Sequence, residues 1–315
     1  MSRTPVYRTV ILNGLKTPGI IHNGGYHFTH FDVYEDGRVA NWNFEDFEHF
    51  IKDVHEGWVV TSIPDSEEIS CFNLGAWKIG DGYWYHTPDT YIAYIRSLVL
   101  ELNPDWINIH TFQKRVVNGV IVGESGASTL YKIDTMKPDK YFPKKVKGEF
   151  YTVFYLLEDK YYLVRLLLFK DGTIAIHGCG DELLLDLDEL RELITIGQVC
   201  STLAMSSRVV IENLGEFTVL EEGYSNDIND LLAEIEDDYR KLNGQKTSNE
   251  FCLEALEVYK ANPSEGLKEI LKEAYERVPE HLRMYLGDMD TRDSEIIEII
   301  YGSEYREYWD EEEIE

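Results

Sequence analysis

Apolar residues recur along this chain in helical and strand-like rhythms, and the same succession of rhythms occurs twice. Phe44, Phe47, Phe50 and Val54 stand at helical spacing, and so do Leu184, Leu187, Leu190 and Ile194. Gly57 and Gly197 follow, where a helix C-terminus takes a left-handed residue. Short apolar runs then predict strands at Val59 to Ile63 and Ile69 to Phe72, and again at Val199 to Leu203 and Val209 to Ile211. An Asn-Leu-Gly turn, Asn73–Gly75 or Asn213–Gly215, leads into one more strand. Each set closes with a helix, over about Asp89 to Leu102 and Asn229 to Leu242.

The two sets are copies. Phe44 to Asn103 aligns without a gap on Leu184 to Asn243, at an offset of 140 positions. Upstream, Tyr34–Val39 matches Phe169–Ile174 at an offset of 135, so the second copy carries extra residues near His177–Gly180. The pairs Asp36-Gly37 and Asp171-Gly172 lie between alternating apolar runs and read as hairpin turns. Antiparallel hairpins with helices between them predict an α+β class. The expected architecture is two tandem copies of a mainly antiparallel strands–helix–strands–helix unit, followed by a small α-helical C-terminal region.

The boundaries drawn from this pattern are 1–136 for the first copy, 137–148 for a Lys/Pro-rich linker and 149–246 for the second copy. The helical C-terminal region then spans 247–304 and an acidic tail 305–315. Between the copies, Asn118-Gly119 marks a further hairpin. In the C-terminal region Phe251–Tyr259 and Leu267–Tyr275 read as amphipathic helices split at Asn262-Pro263, with Ser264 as a cap. Short helical pieces follow at Pro279 and at Ser294 to Tyr301.

Charge sharpens this picture. The chain carries 58 acidic against 30 basic residues, a net charge of −28. From Glu221 onward the count is 28 acidic and 10 basic. Such a field attracts basic partners and disfavours direct nucleic-acid binding, which requires clustered Lys and Arg. No apolar run approaches the roughly 20 residues of a membrane span. The most apolar stretch, Tyr161 to Phe169, is interrupted by Arg165 and reads as a strand. The N-terminus lacks a secretory pattern, so a cytoplasmic protein is expected. The four cysteines, Cys71, Cys179, Cys200 and Cys252, have no paired spacing and read as free thiols.

Candidate chemistry is sparse. His22, His27 and His30 are near one another, but His27 and His30 are three apart on an expected strand and point to opposite faces, so no metal site is expected. Asp288, Asp290 and Asp293 are an acidic surface group for which helix capping and turn formation are the favoured roles; the spacing does not fit a calcium loop. Gly123–Thr129 lacks the ending of a phosphate loop and reads as a connecting loop. No catalytic set and no cofactor motif emerges. One cluster stands out: Tyr83, Trp84, Tyr85 and His86, placed in the loop before the last helix of the first copy. The second copy has Gly223, Tyr224, Ser225 and Asn226 there, so the fold does not demand the aromatic set. Such residues anchor partners at recognition surfaces, and they also fill cores and interfaces.

The segment Val278-Pro-Glu-His-Leu-Arg-Met-Tyr-Leu-Gly-Asp-Met-Asp290, with Ile299-Ile-Tyr-Gly302 after it, resembles the ending of a family of uncharacterised bacterial proteins. The resemblance covers about the last 60 residues well and the first copy weakly. It implies a bacterial or phage setting and assigns no functional residue.

Three functions follow as expectations. The first is a non-catalytic binder of a basic protein, such as an immunity protein that neutralises a toxin or nuclease. The second is a DNA-mimicking inhibitor of a nucleic-acid enzyme. The third is an enzyme or small-molecule binder with a cleft between the copies, since pockets favour such junctions.

Overall fold

The computed structural model describes residues 8–11, 14–41, 44–111, 113–124, 131–134, 147–287 and 291–302. After β1 (Arg8–Ile11), the first copy opens with β2 (Gly14–His22), β3 (Tyr26–Tyr34), β4 (Val39–Ala40) and β5 (Phe44–Glu45). It continues through α1 (Phe47–His55), β6 (Val59–Val60), β7 (Glu68–Cys71), β8 (Gly75–Trp84) and α2 (Pro88–Leu102). Three strands follow, β9 (Gln113–Val117), β10 (Val120–Glu124) and β11 (Tyr131–Asp134). The second copy opens with β12 (Gly148–Leu157), β13 (Lys160–Phe169), β14 (Ile174–His177) and β15 (Leu183–Leu185). It then runs α3 (Leu187–Thr195), β16 (Val199–Cys200), β17 (Arg208–Ile211), β18 (Gly215–Ser225) and α4 (Ile228–Leu242). The C-terminal region contributes α5 (Ser248–Ala261), α6 (Glu265–Glu276), α7 (Glu280–Arg283) and α8 (Ser294–Tyr301).

The copies match element for element and pairing for pairing. The β2–β3 hairpin has its counterpart in β12–β13. Parallel pairing of β7 with β3 is repeated by β17 with β13. Strand β6 beside β2 is repeated by β16 beside β12. The copies then join edge to edge, β8 antiparallel to β18, into a single 14-stranded sheet. In that seam Ile79 pairs with Val219, its own equivalent 140 positions later. A residue that meets its own equivalent marks the two-fold axis of a self-complementary junction, so a pseudo-two-fold passes between these strands.

Local chemistry explains the repeat. Asp46 and Asp186 cap α1 and α3 by accepting backbone N–H bonds, and Thr87 and Asp227 cap α2 and α4. Asn73 and Asn213 both sit in the left-handed region, at φ 57° and 58°, which Asn tolerates better than most residues. One core cluster spans both copies: Trp77 of β8 lies edge-on to Phe154 of β12, with ring centroids 4.9 Å apart. A second cluster lies beneath α3 and α4, and a third, around Cys252, Leu271 and Ile296, belongs to the C-terminal helices. Those helices dock on α4. Buried Asp237 accepts from the Ser248 backbone N–H at 2.9 Å and from the Ser248 hydroxyl, and it pairs with Arg240 at 2.6 Å.

Several boundaries differ from expectation. Phe44 and Leu184 belong to β5 and β15, because the Asp46 and Asp186 caps start the helices only at Phe47 and Leu187. The strands expected to reach Ile63 and Leu203 stop at Val60 and Cys200, since β2 and β12 pair with only two residues of each. Tyr83 and Trp84 are not in a loop: pairing with Glu216 and Gly215 extends β8 through them. The hairpin at Asn118-Gly119 is present as β9–β10, while the rest of the Gly123–Thr129 loop, residues 137–146 of the linker and the acidic tail lie outside the described residues. Ser264 caps α6. All four cysteines are free thiols. Among the described residues no helix is long and apolar enough to cross a membrane.

Candidate functional site

Where the copies meet, a cavity of about 780 Å³ runs from the inner face of β3, past the edge of β12, to the side of α4. Both copies build it. The first supplies Lys16 and His30 from the β2–β3 hairpin and the turn Phe72–Leu74. The second supplies Glu149–Thr152, Arg165, Tyr224, Asn226, Glu234 and Asp238.

One end of the cavity is cationic. Lys16 stands directly across from Asp32 in the β2–β3 register and forms an ion pair with it. Burial lowers the Lys16 pKa against that pairing. Burial, helped by the Arg165 and Lys16 charges, depresses His30 to about 3, so the ring is neutral at physiological pH. Its nitrogens make no hydrogen bond among the described residues. Arg165 occupies the position in β13 equivalent to His30, at the 135 offset. Burial pulls its pKa down to about 10, against the pull of Asp32, and the group stays charged. The guanidinium carbon lies 4.8 Å from the centre of the Phe150 ring. Arg165 forms no ion pair with a carboxylate of the described residues, and the carboxylate acting on it, Asp32, is taken by Lys16.

The other end is acidic. Glu234 and Asp238 are four apart on α4 and therefore share a face. Burial raises the Glu234 pKa; His281 opposes this and Asp238 adds to it. The Tyr151 hydroxyl donates to Asp238 Oδ2 at 2.6 Å, and burial together with that acceptor pushes the phenol far above its usual range. Three aromatic rings stand exposed around the mouth: Phe72 at 79%, Tyr224 at 58% and Phe150 at 57%.

The pseudo-two-fold places an equivalent region on the first copy, and there the space is occupied. Tyr94 stands where Glu234 is, Leu98 where Asp238 is, and His86 where Asn226 is. The Tyr94 hydroxyl is 3.0 Å from Thr17 Oγ1, and its ring stacks on His86 at 5.2 Å. His86 Nε2 donates to the Asn213 carbonyl at 2.9 Å, a partner that only accepts, so Nε2 carries the proton. Asn226 Nδ2 makes the equivalent bond to the Asn73 carbonyl at 3.0 Å. Each Asn-Leu-Gly turn is thus held by the other copy.

The aromatic cluster divides accordingly. His86 serves this cross-copy bond, and Trp84 is half-buried, stacked on Phe217 at 6.2 Å. Tyr83 and Tyr85 remain exposed, at 64% and 44%, with rings 5.6 Å apart. Of the acidic group, Asp288 and Asp290 lie outside the described residues. Asp293 makes no side-chain cap bond; its carboxylate is engaged instead by the Tyr275 hydroxyl, which donates to Oδ2 at 2.7 Å. Among the described residues no group of three or more His, Cys, Asp or Glu is placed to hold a metal ion.

Sequence reasoning missed the cleft residues, although two signals point to them. Arg165 is a charge inside the most apolar stretch of the chain, and Tyr94 and Leu98 become Glu234 and Asp238 across the duplication. A second hollow, of about 600 Å³, lies along Leu183–Leu185 and α3. Its Arg191 is already paired with Asp188 and Glu236.

A family model described as Domain of unknown function (DUF7638) matches residues 2–106 and 136–246, covering both copies. A second, Domain of unknown function (DUF7639), matches residues 247–315. No curated protein and no solved structure matches the chain.

Proposed function

The chain belongs to the family described as Domain of unknown function (DUF7638), and from its geometry we propose that it is a cytoplasmic binding protein whose inter-copy cleft takes a ligand bearing an anionic group. The observation that carries this reading is Arg165, a largely buried cation that lines the cleft without a carboxylate partner among the described residues. Desolvating a charge is costly, and a site that tolerates the cost without an internal counterion is arranged to receive one from outside. Neutral His30 adds a hydrogen-bonding ring with no partner among the described residues, and Lys16 adds a second positive charge. In a chain of net charge −28 this local reversal of sign selects the anionic end of a ligand against the general field.

The test is a thermal-shift screen of small carboxylates and phosphates against wild type and Arg165→Gln. A ligand at about 100 times its dissociation constant adds about 2.7 kcal/mol to wild-type stability. The reading expects that gain to vanish in Arg165→Gln. Gains of equal size in both proteins, or none with any anion, refute it.

A second reading rests on a separate observation. Tyr83 and Tyr85 form an exposed pair beside Glu216, which two cations, Lys160 and Arg208, already engage. Exposed tyrosines on an acidic protein suit a basic protein partner of toxin or nuclease type. Affinity capture at low salt, repeated with Tyr83→Ala/Tyr85→Ala, decides it. A basic partner lost at high salt and in the variant supports this reading. A partner indifferent to both refutes it.

A further inference from the structure

Resting on the cleft reading, we infer that the ligand is a short peptide with free termini that crosses the edge of β12 where, among the described residues, that edge has no strand partner. Its carboxylate sits at Arg165 and its ammonium between Glu234 and Asp238. Three independent features of the cavity meet in this assignment.

The first is a strand edge. Along its outer side β12 pairs with β16 only at Phe154 and Tyr155. Among the described residues Glu149 to Thr152 have no strand partner on that side, and these residues line the cavity. Backbone N–H and C=O groups of such an edge can bond the backbone of a peptide that passes over them.

The second is the arrangement of charge. Successive strand residues point to opposite faces, so Tyr151 and Thr152 diverge. Thr152 is the cross-strand neighbour of Arg165, whereas Tyr151 reaches Asp238 on α4. The cationic and acidic ends therefore lie on opposite faces of the sheet at nearly the same level of β12, and one ligand serving both must cross the strand edge. Two carboxylates four apart on a helix repel each other, and an ammonium placed between them relieves that repulsion. Burial makes the charge on Glu234 costlier still.

The third is the rim. Phe72, Phe150 and Tyr224 are exposed around the mouth and offer apolar surface to side chains of mixed sequence, as expected where the recognised features are the termini.

The experiment incubates the full-length protein with a mixture of short synthetic peptides and identifies the retained ones by equilibrium dialysis and mass spectrometry. Retained peptides are then compared with their N-acetylated, C-amidated and backbone N-methylated forms. Loss of a charge-assisted contact is expected to weaken binding about tenfold or more. Acetylation and amidation should each do so, and N-methylation at an edge-facing amide should as well. Glu234→Gln/Asp238→Asn should erase the penalty of acetylation while keeping that of amidation; Arg165→Gln should do the reverse. Binding that survives acetylation but not amidation overturns the peptide assignment and leaves the anion reading standing. Retention of no peptide while small carboxylates still bind does the same. A terminus-independent peptide, one that binds equally when both ends are blocked, overturns it in favour of an internal protein segment. Loss of all anion binding in the earlier screen removes both readings.

Discussion

In the first copy α2 presents Tyr94 and Leu98; at the equivalent positions of the second, α4 presents Glu234 and Asp238 to the cleft. The surrounding scaffold is the same. Both helices are capped by residues at equivalent positions, both lie over a four-strand arrangement of identical pairing, and both face an Asn-Leu-Gly turn held from across the seam. The first copy fills the space with stacked rings, while the second leaves it open and lines it with carboxylates. The lesson is about constraint. Since one copy folds with Tyr and Leu at these positions, the backbone does not call for acids at their equivalents. In the second copy these acids meet partners of their own, the Tyr151 hydroxyl 2.6 Å from Asp238 and His281 of α7 3.6 Å from Glu234.

The seam the two copies share is the place to break this comparison most severely. Trp77 is fully buried and packs edge-on to Phe154 across the copies. Trp77→Ala is expected to cost about 3–5 kcal/mol. Urea unfolding should show both copies destabilised in a single transition. Two separated transitions, with one copy unaffected, would mean that the copies are independent domains and that the cleft is no fixed feature.

A smaller effect separates His30 from its equivalent Arg165. The folded His30 pKa is depressed from 6.5 to about 3. Between those values the unfolded chain binds the proton and the folded chain does not, so stability is retained above about 6.5 and falls as pH drops toward about 3. The slope from this one group is up to about 1.4 kcal/mol per pH unit. His30→Gln should flatten the stability–pH curve across that window relative to wild type. Parallel curves would show that His30 is solvated and that the cationic end is wet.

Much of the fold is legible in the sequence, because it rests on local signals. The Asp-Gly hairpins, the helical spacing after Asp46 and Asp186, and the left-handed Gly57 and Gly197 each depend on a few neighbouring residues. Comparison of the copies reinforces every one of them. Errors fall where a distant strand decides the outcome: Tyr83 and Trp84 read as loop until β18 pairs with them. The site was far less legible. Lys16, Arg165 and Asp238 are remote in sequence, and nothing short of the seam brings them to one cavity. His86 illustrates the same limit, since its role is a bond to a carbonyl 127 positions away.

The smallest change in stability belongs to the variant that tests the account most directly. Glu234→Tyr/Asp238→Leu transfers the plug of the first copy onto the second. It removes two acidic side chains from a partly buried helix face and replaces them with residues that the equivalent site already packs. The buried Tyr151 hydroxyl loses its acceptor and His281 loses Glu234, so stability should fall, by about 1 kcal/mol. The measurement is calorimetric titration of this variant and of wild type with a ligand recovered by dialysis. The account predicts a folded variant with no detectable binding. A folded variant that binds with wild-type affinity would contradict it, because the acidic end of the cleft would then have no part in recognition.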